Sequence, residues 1–377
     1  MNKIFATLII ALASLLLKAQ DANTYYNDGV KLKNEQKTNE ALLKFRKAID
    51  INPTYTAALY ELGWCQNETK DYVGAIKSLQ KVRKDWPEVP KLHFELGFAF
   101  EKNNQVDSAI KSYNTCLLFK KDYSTALKQL GYINYNKGEY QNALLYFAQY
   151  EEASTNPIKD YLYWFRKGYC YNAQNNYEAA KIALAHSLEI KSDYITTYLE
   201  LGFANTKLKL NDEAIKNFNT ARTMEPSNHI PYNGIAEVYR DNIKNYAMAM
   251  DWYQKALAVK PDERKACYGM GYCLNSQNLY NEAIPYLLKA IQKESTYTSA
   301  YIELGYSNFK IHNYSNAELY YNKAIALNAK SDNAHYYLAL LYIEQKEKRK
   351  AQMVIDKMKT FNSKNIKGLQ EKINNLD

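Results

Sequence analysis

Alanine and large apolar residues recur along this chain at a nearly constant interval. Ten alanines are separated by 34 residues, except for one step of 37 and one of 35: Ala41, Ala75, Ala109, Ala143, Ala180, Ala214, Ala249, Ala283, Ala317 and Ala351. Four residues after each alanine stands a large apolar side chain: Phe45, Leu79, Tyr113, Phe147, Leu184, Phe218, Tyr253, Leu287, Tyr321 and Ile355. Residues four apart share one face of a helix, and a fixed period of this size indicates stacked helical units.

Glycine and proline keep the same interval and predict two helices in each unit. Eight glycines lie twelve residues before the alanines: Gly29, Gly63, Gly97, Gly131, Gly168, Gly202, Gly271 and Gly305. Four prolines lie twelve residues after them: Pro53, Pro87, Pro226 and Pro261. Glycine allows two helices to approach closely, whereas proline cannot continue a helix. The pattern predicts a first helix such as the stretch 125–135 and a second helix such as the stretch 39–53, which ends at its proline.

This pattern resembles the tetratricopeptide repeat, a helix–turn–helix of 34 residues with small residues at its eighth, twentieth and twenty-seventh positions. We count ten tandem repeats over residues 22–365, which start near 22, 56, 90, 124, 161, 195, 229, 264, 298 and 332. The resemblance implies an all-α, right-handed α-solenoid. The segment 366–377 is amphipathic and is predicted to be a C-terminal capping helix, with Ile366, Leu369 and Ile373 turned inward.

The first nineteen residues predict a signal peptide. Met1 to Lys3 form a short positive region, and Ile4 to Leu17 form an apolar run that is too short to span a membrane well. Cleavage after Ala19 would leave Gln20 first in the mature chain. An uncleaved amphipathic helix is the alternative. We expect an exported protein that is periplasmic, outer-membrane-associated or secreted, with no transmembrane segment in the mature chain.

Charge and cysteine usage narrow the classes of partner. The formal net charge is +9, but the charges are interspersed, and the densest basic run, 344–352, contains its own acids. Nucleic-acid binding would need a basic stripe, so we do not expect it. Cys65, Cys170 and Cys273 occupy the same position in repeats three apart, too far for a disulfide. The five cysteines are interpreted as small buried hydrophobic residues.

The sequence contains no recognisable catalytic chemistry. None of the five histidines has metal-ligand spacing with another histidine or a cysteine, and no nucleophile elbow, phosphate-binding loop or zinc-protease motif occurs. We therefore expect no catalytic residue, no metal site and no cofactor. The chain is predicted not to be an enzyme.

Aromatic residues are frequent at the positions that, in the family resembled, face a concave groove on the first helices. The candidate ligand-binding residues, here called the groove residues, are Tyr60, Trp64, Phe94, Phe98, Tyr132, Tyr135, Phe165, Tyr169, Phe203, Tyr268, Tyr272 and Tyr306. Such rings provide a large contact area at low entropic cost. However, tyrosine makes up 36 of 377 residues, so abundance alone would place it at many of these positions.

Two further features bear on what the groove binds. The family's known clamp for a peptide carboxylate needs lysine at the fifth and asparagine at the ninth position of one repeat. In repeat four, Lys128 holds the fifth position, but the ninth is Tyr132. The seventh repeat is polar at these positions, with Asn233, Glu237 and Arg240, and forms either an orienting patch or a solvated irregular unit. The sequence predicts a non-catalytic scaffold that binds a protein or peptide segment in the cell envelope. The alternative is a glycan- or peptidoglycan-associated binding protein that uses the same groove.

Overall fold

The computed structural model of the protein describes residues 20–375, and within that range all regular secondary structure is helical. The predicted signal peptide, residues 1–19, lies outside the described residues, as do the last two residues of the predicted capping segment. None of the helices in residues 20–375 is long and apolar enough to cross a membrane.

Helices follow one another in pairs of similar length, a first helix usually of 13 residues and a second of 14. The first helices are α1 (20–34), α3 (Thr56–Glu68), α5 (Pro90–Lys102), α7 (Ser124–Asn136), α9 (Tyr161–Ala173), α11 (Ile195–Lys207), α13 (Ile230–Glu237), α15 (Arg264–Ser276), α17 (Thr298–Lys310) and α19 (Asp332–Glu344). The second helices are α2 (Thr38–Ile51), α4 (Tyr72–Asp85), α6 (Val106–Phe119), α8 (Tyr140–Ala153), α10 (Tyr177–Ile190), α12 (Asn211–Met224), α14 (Tyr246–Val259), α16 (Tyr280–Lys293), α18 (Tyr314–Leu327) and α20 (Lys348–Lys359).

The chain forms two compact bodies, divided between Gln174 and Asn175. In the N-terminal body, each helix from α2 to α8 packs on the next, and first helices also contact each other, α3 with α5 and α7 with α9. The periodic alanines of this body are fully buried, and the main core cluster includes Leu79, Leu96 and Tyr113. The small residues therefore lie where helices pack most closely.

The C-terminal body repeats this arrangement from α10 onward. Its first helices contact each other in sequence, from α11 through α19. The last helix, α21 (Ile366–Asn374), packs on α19 and α20 and buries Leu369 and Ile373, while Ile366 is partly buried. The apolar face of the last repeat is thereby covered.

The two irregular repeats take up their extra residues in different ways. In repeat four, α8 ends at Ala153 and residues 154–160 are not helical, before Asp160 caps α9. In repeat seven, α13 continues into a π-helical segment, Val238–Ile243. A π-helical turn holds one residue more than an α-helical turn. The first helix therefore absorbs the insertion and keeps its packing against α12 and α14.

A left-handed residue ends the first helix of every repeat. Positive φ angles near 60° occur at the equivalent positions Gln36, Lys70, Asn104, Asn175, Lys209, Lys244, Asn278, His312 and Lys346, and Gly138 has a φ of 77°. This backbone conformation reverses the chain and usually favours glycine. Only one repeat uses glycine there, which is why the turn was not visible in the sequence pattern.

All five cysteines are free and fully buried. Burial raises the pKa of the Cys65, Cys116, Cys170 and Cys273 thiols to about 12. Because the thiolate is the reactive form, we expect a colorimetric thiol reagent to detect almost no thiol in the folded protein at mildly alkaline pH. After denaturation in guanidinium it should detect all five. An intramolecular disulfide found by mass spectrometry would contradict the helical packing described above.

Candidate functional site

Ten of the twelve groove residues are at least partly exposed on first helices. They are Trp64, Phe94, Phe98, Tyr132, Tyr135, Tyr169, Phe203, Tyr268, Tyr272 and Tyr306, of which Phe203 is the most exposed at 39%. The other two are core residues: Tyr60 and Phe165 are each only 6% exposed. Both lie at the fifth position of their repeats, where the ring turns toward the next helix. The prediction that these two residues bind a ligand is therefore corrected, because their side chains offer almost no surface to one.

Rings of the N-terminal body contact each other and nearby cations. Phe94 stacks on Tyr123 with centroids 5.3 Å apart, and the Phe98 ring lies 6.3 Å from Tyr72. The Trp64 ring lies 4.0 Å from the Lys33 amine, which also forms an ion pair with Glu61. One ring face of Trp64 is therefore occupied by a cation of the chain itself.

A second group of rings in this body surrounds Arg166. Its guanidinium lies 3.9 Å from the Tyr132 ring centre and 5.6 Å from that of Tyr135. The Tyr132 hydroxyl donates a hydrogen bond of 2.9 Å to Asp160, and Tyr135 lies 5.4 Å from Tyr169. These contacts hold the three tyrosines in defined orientations before any ligand binds, which reduces the entropy lost on binding.

In the C-terminal body, rings cluster on α15 and α17. The Tyr268 ring lies 6.2 Å from Tyr272 and 5.0 Å from Tyr297, and Tyr306 lies 5.3 Å from Tyr337. Desolvation by burial, followed by nearby carboxylates, raises the pKa of the Tyr268 and Tyr272 hydroxyls. Phe203, on α11, contacts Tyr177 at 6.0 Å and lies under the Lys207 amine at 5.3 Å.

Sequence reasoning missed a set of tyrosines at the last position of the repeat. Each packs on the ring at the fifth position of its own repeat, with centroid distances of 5.1 Å for Tyr55–Tyr26, 5.3 Å for Tyr123–Phe94 and 5.0 Å for Tyr297–Tyr268. Their recurrence at one repeat position was a signal that could have found them. They place more aromatic surface beside the groove residues than the first helices alone provide.

A buried amide–carboxylate contact also recurs between successive first helices. The Asn67 amide donates to the Glu95 carboxylate at 2.9 Å and to its backbone carbonyl at 3.1 Å. The Asn275 amide makes the same two contacts to Glu303, again at 2.9 and 3.1 Å. Burial nonetheless raises the pKa of both carboxyl groups, and the asparagine bond partly offsets it. The same polar contact thus joins successive first helices in both bodies.

The seventh repeat is irregular, but the polar side chains of Asn233 and Arg240 are held by contacts within the chain and are not simply solvated. Asn233 is buried and donates to Glu263 at 2.9 Å, and Glu263 in turn caps α15 through the Ala266 amide. Arg240 is partly buried and donates two hydrogen bonds of 2.7 Å to Asp241. Residues 20–375 contain no group of three His, Cys, Asp or Glu side chains placed to hold a metal ion.

The stacked helix pairs define the chain as an all-α helical-repeat solenoid. Two family models of the tetratricopeptide repeat match it, one over residues 57–88 and the other over 161–194, 231–263, 265–292 and 298–331. The chain carries tandem tetratricopeptide repeats. The presence of these repeats supports a role as a protein–protein interaction scaffold. Proteins that carry such repeats are generally non-catalytic.

Solved structures agree with this fold. Cut9–Hcn1, a hetero-tetramer of APC/C, superimposes with a TM-score of 0.52 at 13% identity, covering 98% of this chain and 99% of the other. Yeast Tom70 has a TM-score of 0.50 at 13% identity, covering 94% of each chain. PilW, a type IV pilus biogenesis factor, has a TM-score of 0.51 at 17% identity, covering 56% of this chain and 98% of its own. Identities this low show the shared fold alone.

Proposed function

We propose that the protein is a non-catalytic scaffold that binds a peptide or protein segment on the groove residues. The observation that carries the proposal is the row of partly exposed rings. These rings lie on first helices, and first helices contact each other within each body. Aromatic anchors of this kind contribute much of the binding energy at protein interfaces. Their orientations are set by ring–ring and hydrogen-bond contacts within the chain, so little ordering is needed on binding.

The same contacts favour a peptide over a glycan. A sugar ring stacks on the flat face of an aromatic side chain, but a chain cation already occupies one face of Trp64 at 4.0 Å and one face of Tyr132 at 3.9 Å. A peptide needs no free flat face, because it uses ring edges, tyrosine hydroxyls and neighbouring charges as well. Peptide binding is therefore the proposal, and glycan binding is an outcome of its test.

The test compares two phenylalanines of equal exposure. Phe203 and Phe119 are both 39% exposed, but Phe203 lies on first helix α11 and Phe119 at the end of second helix α6. Peptides are first selected by the parent protein from a displayed library of random short peptides, and their affinity is measured by fluorescence anisotropy. We expect Phe98→Ala or Phe203→Ala to weaken binding at least tenfold, which is about 1.4 kcal/mol, and Phe119→Ala to bind like the parent.

Circular dichroism of each variant shows whether it remains folded. If folded Phe98→Ala and Phe203→Ala both bind like the parent, the groove residues are not the binding surface. If the library yields no peptide while soluble peptidoglycan fragments are retained, the glycan alternative replaces the proposal.

We also propose that the protein acts in the cell envelope. The support is the charged start, the apolar run and the small residue Ala19 at the N-terminus of the sequence. We expect N-terminal sequencing of the protein from its native cell to begin near Gln20, in a fraction outside the cytoplasm. Intact Met1 on a cytosolic protein would contradict export.

A further inference from the structure

Repeat four differs from other repeats in the side chains at its fifth and last positions. In repeats one, three and eight, two aromatic rings pack together at these positions, as Phe94 and Tyr123 do in repeat three. Repeat four carries Lys128 and Asp160 instead, and their amine and carboxylate lie 3.5 Å apart. A charged pair therefore replaces a ring pair next to the groove residue Tyr132, whose hydroxyl donates to the same carboxylate.

Repeat five differs at its sixth position, on the following first helix. The sixth residue is glutamate in repeats two, three, six and nine, namely Glu61, Glu95, Glu200 and Glu303. In repeat five it is Arg166, which lies on α9 and is partly buried. No other repeat carries a basic residue at this position. The charge at one point of the first-helix row is therefore opposite to that found elsewhere at the same position.

The carboxylate of Asp160 is engaged within the chain through both of its oxygens. One oxygen accepts hydrogen bonds of 3.1 Å from two backbone amides at the start of α9 and so caps that helix. The other accepts the Tyr132 hydroxyl at 2.9 Å and lies 3.5 Å from the Lys128 amine. Asp160 thereby fixes both the Tyr132 ring and the helix that carries Arg166, and it does not pair with that arginine.

The Arg166 guanidinium is surrounded by rings and has no carboxylate partner. It lies 3.9 Å from the ring centre of Tyr132 and 5.6 Å from that of Tyr135. It forms no hydrogen bond or ion pair with another residue in the range 20–375, and the neighbouring cation, Lys167, pairs with Glu151 at 2.5 Å. The charge of Arg166 is therefore not compensated within the described chain.

Other arginines of the first helices do have carboxylate partners. Arg240, in the π-helical continuation of α13, pairs with Asp241, and Arg264, at the start of α15, pairs with Glu294. Arg166 differs from both because it lies among groove residues and its hydrogen-bonding groups are not used by the chain. This difference makes it available to a ligand.

The chemistry of this arrangement selects a carboxylate. A guanidinium that lies against a ring face keeps its N–H donors in its own plane, where they extend past the ring. A planar carboxylate can accept two parallel hydrogen bonds from these donors and neutralise the charge. The contacts with Tyr132 and Tyr135 hold the arginine in place before binding, so less entropy is lost when the ligand arrives.

We propose that Arg166 binds one acidic side chain, aspartate or glutamate, of the peptide that the scaffold recognises. This inference rests on the proposed peptide-binding function and adds a specificity to it. A side-chain carboxylate stands on a stem of methylene groups and can reach a partly buried guanidinium between rings, whereas a terminal carboxylate would have to bring the peptide backbone there. The site is also distinct from the clamp of the family, because Lys128 is engaged by Asp160 and the ninth position is Tyr132.

The experiment uses the peptides selected from the random library, synthesised with an amidated C-terminus so that only a side chain can supply the carboxylate. We expect aspartate or glutamate to be enriched at one position, and the corresponding amide residue there to weaken binding by roughly tenfold or more. Arg166→Gln should weaken the acidic peptide by a similar factor and leave the affinity of the amide peptide unchanged. Fluorescence anisotropy measures the four combinations.

A charge swap separates direct contact from a structural role. Arg166→Glu should prefer lysine to glutamate at the selected peptide position, which is the reverse of the parent's preference, because the sign of the charge at the site has changed. A substitution that only disturbed the packing of Tyr132 would weaken both peptides alike and would not reverse their order.

Arg222→Gln is the matched control. Arg222 is also partly buried, lies 5.8 Å from the Trp252 ring and forms no ion pair with another residue in the range 20–375, but it belongs to the second helix α12. The glutamine variant should therefore keep the parent's preference for the acidic peptide. Circular dichroism shows whether each variant remains folded.

The outcomes distinguish this inference from the function on which it rests. If selected peptides show no acidic enrichment, if folded Arg166→Gln keeps the full discrimination between acid and amide, or if amidation of the C-terminus alone abolishes binding, the inference is wrong. The proposed function still stands in these cases, provided that Phe98→Ala or Phe203→Ala weakens binding. If the parent selects no peptide at all, both are wrong. Should Arg166→Gln fail to fold, Arg166→Met, which keeps an apolar stem against Tyr132, decides the question.

Discussion

Replacing Leu130 with alanine should lower the free energy of unfolding by about 2–5 kcal/mol. Leu130 lies on α7 and is fully buried in the main core cluster of the N-terminal body. The substitution removes apolar contacts and leaves a cavity that the surrounding helices fill only in part. Urea denaturation followed by far-ultraviolet circular dichroism measures the effect.

Leu145→Ala provides the matched control in the same repeat. Leu145 lies on α8 but is 59% exposed, so the same chemical change should alter the free energy of unfolding by no more than about 0.5 kcal/mol. Because repeats couple mainly to their neighbours, the loss in Leu130→Ala should be concentrated around repeats three to five. Equal unfolding curves for the two variants would show that the helices do not face the core as described.

Replacing Gly97 with alanine should cost about 1–3 kcal/mol by overpacking a helix contact. A Cβ atom at Gly97 would lie 2.6 Å from both Cδ1 and Cε1 of Tyr113. The Tyr113 ring cannot easily withdraw, because it is fully buried and its hydroxyl donates a hydrogen bond of 2.8 Å to Glu101. The thermal midpoint should therefore fall.

The same substitution at Gly368 should have the opposite sign. Gly368 lies inside α21, and a Cβ atom there would meet nothing within 4 Å. Alanine loses less backbone entropy on folding than glycine does, so Gly368→Ala should stabilise the protein by roughly 0.5–1 kcal/mol. If the thermal midpoints of Gly97→Ala and Gly368→Ala shift in the same direction, Gly97 is not a close contact point between helices.

The exposed aromatic surface was predicted only in part. Position in the repeat identified Phe98 and Phe203 as exposed rings, because the residue after the glycine lies beside the close helix contact and not in it. Tyr60 was placed in the groove by the same logic, yet it packs against Trp86 at 5.8 Å and is buried. The periodic pattern cannot separate these cases, since the tilt between successive repeats decides which rings become covered.

The charged residues of repeat seven show the limit of the pattern most clearly. The sequence contained Glu237, Arg240 and one extra residue, but it did not reveal that a π-helical segment absorbs the insertion. That segment brings Arg240 within 5.6–5.8 Å of three tyrosines from α14 and α15. Contacts between residues so far apart in sequence depend on how helices pack, which no local spacing records.

By itself, the sequence determined the helical-repeat fold and its register. Small residues such as Ala143 and Gly97 must recur where helices touch, because only they allow close approach, and this requirement repeats with the unit. The tertiary structure alone decided which aromatic side chains remain accessible, which cations cover their faces, and which carboxylates become buried. Those properties depend on burial and on distances between helices, and a difference of a few ångströms changes them without any change in the repeat pattern.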